Sequence, residues 1–570
     1  MLQINSPKFE PYTVLIGLLL LVSYAGARWI ISTLRPPHFP PGPPIVPGLG
    51  NLHQIPAQKP YLAFHTWAKK YGDLVGLKTG AGNLVVINNP KIVHELFEKR
   101  GVIYSNRPVS HILTKHVWYG PEDKAIAILQ YDEYYVRWRR AFQYILSNAG
   151  IKRILPLLEL EACKLCDKFL DDEVGYKNSV RSWSLAVPLA VTRGRRLDAM
   201  PPNFVNDFFQ IQQDILKFII PGVAPLVDFF PILRYLPGFL AKWKSEARHL
   251  RGVVTKDALE YVDDGRKQYT QFLNDHDSSG RFEGLIAKIL REQSSPRTTE
   301  EVRKFTDLEL GYIGQAAVGA AVDTVSATFE SLMYCFAAFS DVLKKAQEEV
   351  DRLGGGKPPT GQMLGELKYL RACISEVVIT FQFDGTHQLT VLALKVLRWR
   401  PTTPNAMPHT LVRDDRFGNY VFPKGTTFIA NVWTFHLNED DYERPDAFDP
   451  DRFIRNPYGL RDDDSLESPE NSNNSGRRGL YTFGFGRRQC PGEQFAYTTL
   501  TLAASKMIWT FDVLPPPGGV DISIESGYID GTVTEPTRPK VLLKPRSEDR
   551  RALIREDSAR LEAIAGEMLG

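Results

Sequence analysis

Cysteine is scarce in this 570-residue chain: Cys163, Cys166, Cys335, Cys373 and Cys490 are few and odd in number. That excludes the disulfide scaffold of a small secreted protein and points to a reducing compartment. An excess of one charge is also lacking, since 69 Lys+Arg against 66 Asp+Glu leave 69 − 66 = +3. Without a cationic stripe interleaved with aromatics, no nucleic-acid partner is expected. Gly/Ser-rich tethers after residue 50 and repeats of fixed period are absent too, which argues for one large unit over a string of domains or a solenoid. Hydrophobic residues make up 43% of the chain, enough to build a core and exclude wholesale disorder.

Long apolar runs are lacking everywhere except near the start. Pro11 to Ala27 hold 17 residues without a charge, and Trp29-Ile30-Ile31 follow. That is near the minimum for a membrane span. A cleaved signal peptide is the rival, but Arg28, Trp29 and Arg35 read as interfacial anchors. Lys8 and Glu10 cancel upstream while Arg28 and Arg35 lie downstream, so the positive-inside rule leaves the rest of the chain in the cytosol. Residues 1–35 are therefore read as a single-pass anchor. Pro36 to Pro44 cannot continue a helix, and 36–48 read as a proline-rich hinge.

Beyond Leu49 the pattern is mainly α with small β-sheets. Leu74 to Leu77 and Asn83 to Ile87 read as strands by alternation and Gly/Asn/Pro boundaries. Residues 239–260 and 306–352 have helical spacing, the second ending at Gly354-Gly355-Gly356. The polar stretches 262–300 and 461–479 read as surface loops, and 546–570 as a helical tail.

The most informative segment is Phe483-Gly484-Phe485-Gly486-Arg487-Arg488-Gln489-Cys490-Pro491-Gly492-Glu493, a glycine-rich turn followed by the helical pattern Gln494 to Met507. Freed backbone N–H groups, a helix N-terminus and nearby Arg487 or Arg488 all favour a thiolate at such a place. Glycine also lets the backbone lie against a flat ligand. Phe483, Gly486, Arg488, Cys490 and Gly492 reproduce Phe-x-x-Gly-x-Arg-x-Cys-x-Gly, and here the chain resembles the cytochrome P450 family of haem-thiolate monooxygenases, over roughly residues 36–545. The resemblance implies the P450 fold behind a single N-terminal transmembrane helix, a catalytic domain over 49–545, and haem b with Cys490 as axial thiolate. By comparison, Cys163-x-x-Cys166 lacks a second pair and lies in a helical pattern, so a metal role is not expected.

Other positions extend the likeness. Asp323-Thr324, in Gly319-Ala320-Ala321-Val322-Asp323-Thr324-Val325-Ser326, put an acid and an alcohol inside an otherwise apolar helix, which is costly unless both are satisfied or face a wet cavity. The family's acid-alcohol pair relays protons on the oxygen side of the haem, which implies that role for Asp323 and Thr324. The rival reading is a Thr bonded to the preceding turn and an Asp in solvent; Ala321 and Val325 also depart from the family pattern. Pro408-His409 resembles the pair whose imidazole meets a haem propionate, so His409, Arg488 and Trp138 are candidate propionate donors. Four residues after Trp138 the family has Arg where this chain has Phe142, and Arg139 or Arg140 is the expected substitute.

The family's Glu-x-x-Arg, which locks to the Arg of a Pro-Glu-Arg-Phe segment, is interrupted. Pro450-Asp451-Arg452-Phe453 supplies the second part, but 19 residues, 377–395, stand between Glu376 and the resumed pattern at Val396-Leu397-Arg398. Removing them restores Ser-Glu-Val-Leu-Arg-Trp with Glu376 and Arg398 three apart. The segment reads as a retained intron: 19 × 3 = 57 nucleotides, with a Val codon that opens on GT and a Lys codon that can close on AG. Its retention is expected to part Glu376 from Arg398. The rival is an insertion that loops out while the pair still meets.

The resemblance implies NADPH-dependent insertion of one atom of O2 into a lipophilic small molecule, a fungal secondary metabolite in style. Electrons would come from an NADPH-cytochrome reductase in contact with membrane lipid, at the endoplasmic reticulum. Two alternatives stay open: a haem-thiolate isomerase or dehydratase, which needs no acid-alcohol pair, and a noncatalytic membrane-anchored pseudoenzyme, favoured by the interrupted Glu-x-x-Arg.

Overall fold

The computed structural model describes residues 11–569 except 119, 121–124, 172–175, 220–223, 275–280, 296–303, 378–397, 457–458, 462–480, 532 and 538–540. Helix α1 (Pro11–Ser32) opens it, uncharged up to Ala27 and unburied over the apolar window of Tyr12–Ser32. The proline-rich segment after it is not helical, as expected, but it is tied down. Gly76 N–H donates to Pro41 O at 2.8 Å, and Asn51 Nδ2 donates to Pro43 O at 3.1 Å.

The two expected strands are present as β1 (Leu74–Thr79) and β2 (Gly82–Ile87), antiparallel with Leu77 opposite Leu84 and joined through Gly80-Ala81. Two distant strands, β3 (His409–Thr410) and β4 (Thr427–Ala430), complete a four-stranded sheet in the order β1-β2-β4-β3. Its Val85 and Ile87 pack on Phe97, Phe428 and Phe485, and that apolar cluster ties the sheet to the segment before Cys490.

The rest is a helical assembly. We label α2 (Glu133–Leu146), α3 (Asn148–Asp171), α4 (Tyr176–Arg193), α5 (Lys242–Asn274), α6 (Asp307–Ala338), α7 (Lys368–Val377), α8 (Glu493–Thr510) and α9 (Glu548–Leu569). Helix α6 is the central rod: its start is set by a capping box between Thr306 and Glu309, and nearly every residue from Val325 to Ala337 is buried. The single helix expected over 306–352 is broken at Phe339, where φ −121° and ψ 77° leave the helical region, and a second helix runs Ser340–Gly354 before Gly355 caps it at φ 56°.

The polar stretch 262–300 is not one loop. Helix α5 continues to Asn274 and another helix spans Leu285–Ser294. The polarity misled because it belongs to buried bonds as well as to solvent: Asp264 accepts from Arg193 Nε at 2.7 Å, and the buried Gln268 side chain accepts from Gly284 N–H at 2.8 Å. The stretch expected as a loop over 461–479 lies, apart from Arg461, outside the described residues. The tail is helical: α9 buries Ile554, Leu561 and Ala565 in the main core and pairs Asp557 with the fully buried Lys506 of α8 at 2.8 Å.

Candidate functional site

The loop before α8 holds Cys490 in place through its backbone. Phe485 stacks on Phe97 at 5.0 Å, and Gly486 follows at φ +57°, where a Cβ would lie 2.2 Å from the Phe97 carbonyl oxygen. Only glycine fits there. Cys490 N–H donates to Phe483 O at 2.9 Å, while Gly492 N–H, just ahead of α8, donates to Cys490 Sγ at 3.4 Å. The Phe483 ring lies 6.2 Å from that of Tyr497 of α8. Cys490 is exposed, whereas the other four cysteines are buried, and burial pushes their thiols up, that of Cys166 to about 12. Cys490 is thus the cysteine with access, an N–H on its sulfur and a helix N-terminus behind it, the conditions that favour a thiolate. Arg487 is exposed and donates to Tyr131 Oη at 2.9 Å.

Beside this loop the fold gathers cations. Arg488 donates to Ser105 O at 2.8 Å and Leu129 O at 2.5 Å, with its guanidinium 3.8 Å over the Tyr135 ring. His409, buried on β3, is 2.6 Å from Tyr104 O through Nδ1; a carbonyl only accepts, so Nδ1 carries the hydrogen. Arg107, which sequence reading missed, donates to Met407 O at 3.0 Å and Pro408 O at 2.6 Å. Burial and the neighbouring Arg488 push its guanidinium down to about 9. Burial and the charge of Arg107 likewise hold the His409 imidazole well below its ordinary value. Among the described residues no carboxylate hydrogen-bonds to these three groups, and like charges brought together out of water call for an anion to join them.

Trp138, on α2, is fully buried and among the described residues its Nε1–H has no hydrogen-bond partner. Phe142 packs edge-on against it at 6.3 Å. Arg139 turns to the Tyr135 hydroxyl at 3.4 Å and Arg140 is exposed, so among the described residues it is Arg107 that stands beside Arg488 as the second cation. Nothing near Arg107 in sequence marks it, because its partners lie some 300 residues away. An exposed thiol, an orphaned indole N–H and a cationic pocket together fit a planar dianionic macrocycle with a thiolate-bound metal.

The acid-alcohol pair lies across from no other chemistry in sequence but shares its helix with a telling residue: Ala320 is exposed in the middle of α6, between buried Val318 and Val322. Ala320 thus leaves one face of α6 open between two buried positions. Thr324, one turn on, occupies the same face. Its hydroxyl donates to Ala320 O at 3.0 Å, the back-bond of the bland reading. Asp323 is not in solvent, however; it is half-buried, and burial together with the charge of Glu535 pushes its carboxyl up to about 6.

Glu376, Arg398 and Arg452 form a buried knot. Arg398 Nε donates to Glu376 Oε2 at 2.8 Å, while Arg452 Nε and Asp449 N–H both donate to Oε1 at 3.0 Å. Arg398 also donates to the Pro445 and Ala447 carbonyls, and Arg452 to Glu443 O. All three charged side chains are at most 3% exposed. The expectation that retention of 377–395 parts Glu376 from Arg398 is therefore corrected: the pair meets with the insertion present. The backbone explains how, since Trp399 N–H donates to Glu376 O at 3.2 Å and returns the chain to the helix end it left. Residues 378–395 of the insertion lie outside the described residues. The Cys163-x-x-Cys166 pair is buried on α3, and among the described residues no group of His, Cys, Asp or Glu is arranged to hold a metal ion.

Comparison with known proteins agrees with this geometry. The family model for cytochrome P450 matches residues 40–378 and 394–543, breaking within the insertion. A cytochrome P450 monooxygenase of a Penicillium species, grgG, is 34% identical over 565 residues, covering 97% of this chain and 96% of that protein. A cytochrome P450 monooxygenase of Arthrobotrys oligospora is 29% identical over the whole of both chains, and fogE of Aspergillus ruber is 29% identical over 96% of this chain and 95% of its own. With the family model spanning most of its length and fungal relatives matched over nearly the whole of both chains, the chain belongs to the cytochrome P450 family, monooxygenases that use O2, a small-molecule substrate, a redox partner and a haem whose iron is bound by a cysteine thiolate.

Proposed function

We propose that Cys490 is the axial ligand of the haem, and that the chain inserts one oxygen atom of O2 into a lipophilic secondary metabolite with electrons from NADPH through a membrane-bound reductase. The observation that carries this reading is the exposed Cys490, with Gly492 N–H on its sulfur at the head of α8. Trp138 Nε1, Arg107, Arg488 and His409 would hold the propionates, and Gly486 keeps the loop close to Phe97. The haem, once bound, supplies oxygen activation, and the thiolate's electron donation favours O–O cleavage. The protein's own part is position and protons: Thr324 presents its hydroxyl on the face of Ala320, and Asp323 holds a proton near neutral pH for transfer to that hydroxyl or to water.

The knot of Glu376, Arg398 and Arg452 ties the end of α7 to the segment 443–452, and its presence weighs against the pseudoenzyme. The Asp323-Thr324 pair weighs against an isomerase or dehydratase. Residues 1–35 serve as the anchor and 49–545 as the catalytic domain, on the cytosolic side of the endoplasmic reticulum membrane. In support, Trp29 at the end of α1 bonds to Gly48 O at 2.9 Å and lies 5.8 Å from Phe230, and the neighbouring Ile232, Tyr235, Phe239 and Leu240 expose apolar surface suited to lipid. We read 377–395 as dispensable, in keeping with the break in the family match.

The test is Cys490→Ser in the full-length protein. A hydroxyl stays protonated at neutral pH, so the thiolate-specific reduced carbon monoxide spectrum disappears. An unchanged spectrum refutes the assignment.

A further inference from the structure

Helix α6 carries a second acid that the reaction described so far leaves unused. Glu330 lies seven residues after Asp323, two helical turns on and therefore on the same face. It is 1% exposed, and among the described residues its Oε2 has no hydrogen-bond partner. A buried carboxylate oxygen without a donor is expensive as an anion and cheap as an acid. A third carboxylate stands over both. Glu535 belongs to β6 (Thr534–Pro536), which pairs with β5 (Tyr528–Asp530) to form a hairpin packed along α6. Glu535 is the charge that acts most strongly on Asp323, and it acts on Glu330 as well. Its side chain is 26% exposed and pairs with the 34% exposed Lys177 of α4 at 3.4 Å, so it is open to solvent where Glu330 is not.

We propose that Glu535 and Glu330 extend the Asp323-Thr324 pair into a carboxyl relay that carries protons from the surface at Lys177 to the Thr324 hydroxyl. The proposal rests on the reading of Asp323 as the proton donor to Thr324. At 1.5 Å per residue Asp323 and Glu330 are about 10 Å apart along the helix axis, too far for one hydrogen bond. Glu535 bridges that interval, with hydrogen-bonded water between carboxyl groups. Each transfer moves one proton from oxygen to oxygen, with bulk water as the source and no electron displaced. Glu535 is the entry, and Glu330 is a reservoir that re-protonates the path.

The groups that face Glu330 set its behaviour. From α4 these are Lys177, Arg181 and the buried Tyr176, whose hydroxyl has no hydrogen-bond partner among the described residues; from β6 it is Glu535. Burial raises the Glu330 carboxyl to about 7, with Lys177 and Arg181 opposing and Glu535 adding to the rise. Such a group is half-protonated where the cytosol operates, which suits a reservoir.

Two variants and a reference test this in the full-length holoenzyme with its reductase in phosphatidylcholine vesicles, following NADPH oxidation without added substrate. Infrared spectra of the resting protein in H2O and D2O come first, before any turnover. The stretch of buried protonated carboxyls is expected in the parent and in Glu535→Gln, and Glu330→Gln is expected to lose one component of it while that of Asp323 remains. Glu535→Gln is expected to slow NADPH oxidation roughly tenfold and to enlarge the solvent isotope effect, short of the about 10²–10⁴-fold range of the final donor because water partly replaces a relay member. Glu330→Gln is expected to flatten the pH profile around 7 with haem content unchanged. If Asp323→Asn alters rate and isotope effect while both Gln variants match the parent, the relay is wrong and the role of Asp323 stands. If Asp323→Asn also matches the parent, both fall. Should Glu330→Gln fail to bind haem, the surface-side Glu535→Gln decides alone.

Discussion

Deleting residues 377–395 probes how the insertion sits in the fold. Trp399 N–H donates to Glu376 O at 3.2 Å across 399 − 376 = 23 positions. Without the 19 inserted residues the separation becomes 23 − 19 = 4, the spacing of an α-helical hydrogen bond. Likewise Arg398 falls three residues after Glu376, the i,i+3 neighbour on one helix face. The short form would therefore keep the buried knot and turn a long excursion into one more turn of α7. Had the insertion stripped Glu376 of Arg398, restoring the pair would be worth about 3–5 kcal/mol. Because the pair forms in the long chain, what the deletion recovers is the entropy of closing 19 residues, about (3/2)RT ln 19 or about 2.6 kcal/mol. Both forms are expected to bind haem, and the short form to melt a few degrees higher. Paired measurements of haem per protein and of the melting midpoint check this, and sequencing of transcripts across the junction is expected to find mostly the spliced form. A short form that binds less haem or melts lower than the long form would refute the continuous-helix argument.

Thr324→Ala should keep haem and spectrum but shift reduced oxygen toward peroxide, measured as peroxide formed per NADPH; an unchanged ratio removes Thr324 from proton delivery. Asp323→Asn should stabilise the fold in a pH-dependent way. The folded carboxyl lies above its unfolded value of 3.8, at about 6, so its ionised form is the disfavoured one. The penalty is absent below about pH 4, grows as pH rises and is full above about pH 6, and the variant's gain in melting midpoint should follow that course. A gain equal at about pH 4 and about pH 8 contradicts the assignment. Arg107→Ala should release haem faster by about tenfold to hundredfold, the value of a hydrogen bond to a charged group at about 1.5–3 kcal/mol; transfer of haem to apomyoglobin measures it, and an unchanged rate returns Arg107 to a purely structural role.

How much of this was legible beforehand depended on the range of the interactions involved. The turn around Cys490 is local: its glycines, arginine and proline lie within a few residues, and each is demanded by backbone geometry or by the charge of a thiolate, so linear order alone carried it. The apolar run of α1, the hairpin of β1 and β2 and the capped start of α6 are local in the same sense. Arg107 was invisible because what makes it notable is an electrostatic neighbourhood assembled from two distant segments, with Met407, Pro408 and His409 of one and Arg488 of the other around it. Glu330 and Glu535 stand more than 200 residues apart and meet only because a hairpin packs along α6. The polarity of 262–300 could not say which of its groups would be paired in the interior; the partners of Asp264 and Gln268 come from folding. The insertion shows the division most clearly. Sequence order placed Glu376 and Arg398 far apart, yet a buried charge is so costly without its partner that the folded chain closes the pair whatever the number of residues between them, and only three-dimensional packing decides that.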